Sequence, residues 1–392
     1  MKNSCPSAQF CGGCQYQGIK YEKQLESKQE KVEKLLSSFH TVEKIIPCKV
    51  PYHYRNKAQF TFAADEESHI YYGFYMSKTH MVVPVEECMI CNEGMSKIMS
   101  SIKKTVILQH IPIYNERAKK GFLRHVLIRS SNKGEYMVVL VTGVDLNARK
   151  EILVKQILKY NPEVKTIVQN INGSPGSQVL GKRNIVLYGS GYITDRLCGL
   201  DFRISPASFY QVNSLQTQVL YNEAIRCAQL NEEETLIDAY CGTGTIGLTA
   251  SKYVKKVFGV EINKSALKDA KVNRKINDIS NAEFVLADAG RYMETLSRKK
   301  EKVDIVIMDP PRAGSDTKFM SSLVRMNPEK VVYVSCNPVT LKRDLQYLQR
   351  SYTIEKIQPI DMFPFTDHCE TIVRLISRNT KSKVCQNTSQ TD

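Results

Sequence analysis

The 392-residue sequence contains no run of about 18 apolar residues, the length a helix needs to cross a bilayer. Its opening residues, Met1-Lys2-Asn3-Ser4-Cys5-Pro6, lack the apolar stretch of a secretory signal. These two absences exclude a spanning helix and make a cytoplasmic protein without membrane contact the expectation. No internal repeat and no low-complexity segment occur, so a stacked-repeat architecture is not expected either. A disulfide framework is excluded on other grounds. The chain has 12 cysteines, but a cytoplasmic compartment keeps thiols reduced.

What is present is an ordinary globular composition, 42% hydrophobic and 24% charged, in a chain long enough for two domains. Lys and Arg outnumber Asp and Glu by 55 to 40, a formal charge of +15. Such a surplus concentrates polyanions and fits a nucleic-acid partner, although it does not establish one. The cysteines are unevenly placed. Cys5, Cys11 and Cys14 crowd the first fifteen residues, and Cys88 and Cys91 form a second group.

The pattern divides the chain into segments. Residues 21–39 are polar and helix-prone, with Leu25, Val32, Leu35 and Leu36 as the apolar stripe. Strands are expected near 58–62 and 70–75, a helix over 88–108, and paired strands at 124–130 and 136–142 around Asn132-Lys133-Gly134. A helix over 151–159 and strands at 166–171 and 184–188 complete an α+β region. The second half alternates strands and helices from residue 234 to residue 350. That rhythm marks a doubly wound parallel sheet. The expected division is 1–48 for the N-terminal cysteine segment and helix, 49–195 for a central α+β domain, 196–378 for the α/β domain, and 379–392 for a polar, disordered tail.

Two loops of the α/β half carry binding signals. Residues 236–241 run as an apolar strand from Leu236 through Asp238 to Cys241, then enter a glycine loop at Gly242-Thr243-Gly244. No Gly-Lys-Ser/Thr follows, which excludes a phosphate cradle. Glu261 ends the next expected strand, where a carboxylate binds ribose hydroxyls. Asp288 ends the one after it and is placed beside an adenine ring. Together Asp238, Gly242, Glu261 and Asp288 read as an S-adenosylmethionine site. A nicotinamide dinucleotide site shares the glycines and Glu261 and is the alternative.

Two further strand ends carry reactive groups. Asp309-Pro310-Pro311-Arg312 and Ser335-Cys336-Asn337-Pro338 both fall at the carboxyl edge of this sheet. A thiolate beside a methyl donor has a specific use. Carbon 5 of uracil is a poor nucleophile, and sulfur addition at carbon 6 converts the ring to an enolate able to attack a methyl group. A base must then remove the carbon 5 proton. Asp367, His368 and Glu370 cluster before a final apolar strand, and spacing does not choose between His368 and Glu370.

Taken together, these motifs resemble the bacterial RNA 5-methyluridine methyltransferases, in particular the iron–sulfur branch acting on 23S ribosomal RNA. The resemblance covers nearly the whole chain. It implies a Rossmann-like methyltransferase domain preceded by an α+β iron–sulfur and RNA-binding region. Ser208-Phe209-Tyr210-Gln211-Val212-Asn213 resembles the stretch in which Gln211 contacts the donor and Phe209 lies against the substrate base. It further implies Tyr240 and Asp309 as donor-side contacts, Cys336 as nucleophile and Glu370 as base. Cys5, Cys11 and Cys14 with a distant cysteine are similar to its four-thiolate [4Fe–4S] site; Cys88 is taken as the fourth ligand, with Cys91 the competitor. Many relatives begin with a small β-barrel module. This chain starts almost at Cys5, so RNA grip is expected from the cysteine region and from the basic, aromatic residues 53–80. The same chemistry on transfer RNA, or a non-catalytic iron–sulfur RNA-binding protein, are the alternative readings. A monomer is the default.

Overall fold

The computed structural model describes residues 5–380 except 117, 146–148, 175 and 177. The tail expected at 379–392 lies, from residue 381 on, outside the described residues.

Helix α1 (Tyr21–Leu36) opens the regular structure. Its inward face is Gln24, Lys28, Val32 and Leu36, one residue per turn, so half of that face is polar. The apolar stripe did not mark Gln24 and Lys28, because their partners lie more than 300 residues away. Lys28 Nζ donates to Asp361 Oδ1 at 2.6 Å in a fully buried ion pair, and Gln24 Oε1 accepts from Phe365 N. Residues 42–46 then run parallel to the outer edge of the second sheet, through bridges Val42–Ile357 and Ile46–Ile360.

The first sheet is built from β1 (Lys57–Ala64), β2 (Ile70–Tyr75), β3 (Val82–Pro84), β4 (Leu123–Ser130), β5 (Tyr136–Thr142), β6 (Val164–Ile171) and β7 (Arg183–Tyr188), in the order β3-β2-β1-β4-β5-β6-β7. All its pairs are antiparallel except β5–β6. Helices α2 (Glu93–Leu108) and α3 (Arg149–Tyr160) pack on one face, over Phe60, Phe62, Val126 and Ile128. Leu127, Met137, Val139 and Val141 point the other way, into a core shared with the second half of the chain. Helix α2 begins five residues later than the pattern suggested. Asn92 caps it by accepting from Gly94 N, which leaves Cys88 and Cys91 on the preceding loop.

A hairpin, β8 (Ile193–Leu197) and β9 (Leu200–Ile204), leads through α4 (Ser214–Ala228) into the second sheet. Its elements are β10 (Thr235–Ala239), α5 (Thr245–Ala250), β11 (Lys256–Glu261), α6 (Lys264–Ile276), β12 (Ala282–Leu286), α7 (Ala289–Lys299), β13 (Ile305–Met308), α8 (Thr317–Met326), β14 (Lys330–Ser335), α9 (Pro338–Leu348), β15 (Tyr352–Ile360) and β16 (Glu370–Ser377). The strand order is β12-β11-β10-β13-β14-β16-β15. The first five strands are parallel, and β16 runs antiparallel to both its neighbours, β14 and β15. The chain turns to opposite sides after β10 and before β13, so a crevice opens at their carboxyl ends. Among the described residues no helix is long and apolar enough to cross a membrane.

Candidate active site

A cavity of about 660 Å³ occupies that crevice. The glycine loop forms one wall. Tyr240, Gly242 and Gly244 all have left-handed φ values, of +64°, +57° and +81°. This folds the backbone into a tight turn, and at Gly244 a Cβ would meet the Phe284 ring at 2.7 Å. Glu261, at the end of β11, fixes the turn from the side. Its Oε2 accepts from Gly242 N at 2.9 Å, and its Oε1 accepts from Asn263 N at 2.6 Å. The Tyr240 hydroxyl lies 2.6 Å from Ser315 Oγ.

The opposite wall is chemical. Asp309 follows β13, Cys336 follows β14 and Glu370 begins β16; all three line the same cavity. Two contacts join their loops, since Asn337 Nδ2 and Thr340 Oγ1 both donate to the Arg312 carbonyl. Asn337 also caps α9 by accepting from Val339 N. Glu370 is buried, and its Oε2 has no hydrogen-bond partner within the protein. Burial and the nearby Asp309 carboxylate hold the Glu370 carboxyl well above the usual range, and Arg312 opposes them. Burial lifts Asp309 to about 7. The Cys336 thiol is pushed up to about 11 by burial and then by the charges of Glu370 and Asp309, with Arg312 again opposing.

The question spacing left open, His368 or Glu370, takes a structural form here. Arg312 Nη2 lies 2.5 Å from His368 Nε2, and a guanidinium only donates, so that ring nitrogen accepts. The imidazole proton then sits on Nδ1, toward Asp367 Oδ1 at 3.3 Å. Burial and then the Arg312 charge lower the His368 pKa, with Asp367 opposing. His368 Nε2 is thus occupied by Arg312, whereas Glu370 keeps an oxygen with no hydrogen-bond partner. Gln211 and Phe209 also line the cavity; Gln211 is buried, and Phe209 is 68% exposed at the mouth.

The structure thus brings Phe209, Gln211, Tyr240, Gly242, Glu261, Asp309, Cys336 and Glu370 together. It gives Asp238 and Asp288 other positions. Asp238 is buried behind the loop, where its Oδ2 accepts from Gly247 N at 2.7 Å. Asp288 caps α7 by accepting from Arg291 N. Neither is among the residues that line the cavity. Gly12, Gly13, Gln15 and Arg55 do line it and were not singled out from sequence. Arg55 lies in the basic stretch 53–80, and that was its only signal.

The N-terminal cysteines adjoin this site. Cys5, Cys11, Cys14, Cys88 and Cys91 line a second cavity, of about 360 Å³, which shares Gly12, Gly13 and Arg55 with the first. Among the described residues, no group of three or more Cys, His, Asp or Glu side chains is arranged to hold a metal ion. Burial raises the Cys14 thiol to about 11. Cys14 and Cys88 pack against a small core of Tyr54, Ile90 and Phe365. The residues after Cys14 hold the loop before Glu370, since Gln15 N and Tyr16 N both donate to the Phe365 carbonyl.

A family profile described as tRNA (uracil-5-)-methyltransferase matches residues 20–378. The chain belongs to this family. As a member of the tRNA (uracil-5-)-methyltransferase family it is an S-adenosylmethionine-dependent RNA methyltransferase. It is 40% identical over 382 residues to an uncharacterized RNA methyltransferase of Halalkalibacterium halodurans, covering 96% of this chain and 83% of that one. A Clostridium tetani RNA methyltransferase, also uncharacterized, is 39% identical, with 95% and 82% covered. Among solved structures, the Pyrococcus abyssi tRNA (uracil-54, C5)-methyltransferase in complex with S-adenosyl-L-homocysteine superposes with a TM-score of 0.77. It is 29% identical, over 94% of this chain and 86% of that one.

Proposed function

We propose that this protein methylates carbon 5 of a uridine in 23S ribosomal RNA, with Cys336 as covalent nucleophile and Glu370 as base. The carrying observation is the shared cavity of Cys336 and Glu370, the latter with an unpartnered carboxylate oxygen. Gln211, Tyr240, Gly242, Glu261 and Asp309 line the donor side, and the donor supplies an electrophilic methyl group when bound. Phe209, at the mouth, receives the extruded base. The thiol first loses its proton to solvent, and the thiolate forms a bond to carbon 6. Electron density moved to carbon 5 makes the new carbon–methyl bond as the donor's sulfur–methyl bond breaks and S-adenosyl-L-homocysteine leaves. Glu370 then takes the carbon 5 proton, the carbon–sulfur bond breaks, and the thiolate is regenerated. Once the thiolate regains a proton from solvent and Glu370 gives its proton up, the net change is release of one proton.

In the same reading, Cys5, Cys11, Cys14 and Cys88 hold a [4Fe–4S] cluster. The fit rests on four soft donors lining one cavity. A polynuclear cluster needs wider sulfur separation than a single ion, so the lack of a single-ion group does not argue against it. Anaerobic purification followed by iron and acid-labile sulfide determination tests this. One cluster per chain supports it, and zinc or no metal rejects it.

Transfer RNA is the second reading, favoured by the family description and by the structural similarity to the Pyrococcus abyssi enzyme. The deciding experiment is transfer of labelled methyl to unmodified 23S transcript and to transfer RNA in parallel, with nuclease mapping. Label as 5-methyluridine in the 23S transcript supports the proposal. Label in transfer RNA alone moves the same chemistry to the other substrate. No label in either leaves the non-catalytic RNA-binding reading.

A further inference from the structure

Helix α6 has two polar faces with different tasks. The inward face holds residues 201–208 in place. Asp201 N donates to Asn277 Oδ1 and Arg203 N to Asn273 Oδ1, both at 2.8 Å. Ser205 Oγ and Ser208 Oγ both donate to the Asp269 carboxylate. Ser208 directly precedes Phe209, so this face ties the helix to the residue at the cavity mouth.

The outward face carries Lys264, Lys268, Lys271 and Lys275. Spacings of four, three and four residues put all four on one side of the helix, over about 16 Å at 1.5 Å per residue. All four are exposed, and among the described residues none of them forms an ion pair. Both Glu261 oxygens accept backbone N–H groups, and Asp269 is buried on the inward face. Together with Leu267, Val272 and Leu286 the lysines line an open groove of about 380 Å³. Leu286 is 50% exposed within it. The groove begins three residues beyond Glu261, which lines the active-site cavity.

Four unneutralised ammonium groups along one helix, spaced like successive phosphates, complement a single polyanionic strand. The apolar side chains between them suit the flat faces of sugar and base. We infer that this groove is a second RNA-binding surface, taking the backbone of the substrate RNA where it leaves the active-site cavity. The inference rests on the reading of this chain as an RNA methyltransferase. It adds a surface on the outer flank of the methyltransferase domain, distinct from the cysteine region and from residues 53–80.

The test uses the full chain and an unmodified 23S transcript, with binding measured across a salt series. The variants are the fourfold Lys264→Gln, Lys268→Gln, Lys271→Gln, Lys275→Gln protein and the corresponding fourfold Lys→Arg protein. Four lost contacts should reduce the slope of log K against log salt by about 3, and weaken binding by about tenfold or more at low salt. The Arg variant should bind like wild type, and donor affinity should not change in either. An unchanged slope in the Gln variant overturns the inference and leaves the face to solvent or to an acidic protein. Equal loss in the Arg variant also overturns it, because charge would not be the cause. Formation of 5-methyluridine by the wild type decides the underlying reading separately. The slope comparison holds whether or not methyl transfer occurs.

Discussion

The two walls of the active-site cavity treat their carboxylates in opposite ways. On the glycine-loop wall, Glu261 accepts two backbone N–H groups, one on each oxygen. On the other wall, Glu370 is buried and Asp309 half-buried, neither forms an ion pair among the described residues, and Glu370 keeps an oxygen with no partner. A satisfied carboxylate holds shape; an unsatisfied one is ready to take a proton. The contrast separates a wall suited to holding a ligand from one suited to chemistry, and it can be attacked from either side.

The largest expected effect is on the chemical wall. Cys336→Ala should lower methyl transfer by about 10³-fold or more while leaving donor binding intact, measured as kcat and donor Kd on one preparation. Near-normal turnover would remove the thiol from the account. Next is the clamp behind that wall. Lys28→Met strands Asp361 as an unpaired buried charge, at a cost of about 3–5 kcal/mol. Denaturant unfolding measures this, and a loss well under 1 kcal/mol would show that the pair does not hold the loop.

Much of this was legible beforehand. The glycine loop, Glu261, Asp309 and Cys336 sit at the ends of adjacent parallel strands, and apolar runs mark such strands plainly. Other parts were hidden for physical reasons. Strand β15 was not expected, since a register shift between Ile354 and Lys356 interrupts its alternation. Lys28 and Gln24 read as solvent-facing because their partners are distant in sequence. Asp288 read as a ligand-facing strand end, and its cap on Arg291 N was not foreseen, because an aspartate just before a helix serves as a cap as well. Spacing left His368 and Glu370 open; the family resemblance named Glu370, and the Arg312–His368 contact, which no local pattern contains, favours the same choice.

Two smaller effects sharpen the contrast. The Cys336 thiol is raised to about 11, and Glu370 is raised as well, so both reactive forms increase with pH. The kcat/KM should therefore rise about tenfold per unit through about pH 7 to 9, the slope of a single thiol titrating above that window. A flat profile would contradict the burial and repulsion described here. Smallest is Asp288→Ala, expected to cost about 1 kcal/mol of stability as a lost cap while leaving donor Kd nearly unchanged. A large rise in donor Kd would return Asp288 to the donor site.

The most direct test of the central claim is to incubate the Glu370→Gln protein with S-adenosylmethionine and substrate RNA, then run a denaturing gel. Methyl transfer should proceed to the stage that needs the base and stop there. A protein–RNA adduct carrying the labelled methyl group should accumulate, and it should vanish in the Cys336→Ala, Glu370→Gln double variant. Free 5-methyluridine product at the normal rate, with no adduct, would contradict the pairing of Cys336 as nucleophile with Glu370 as base.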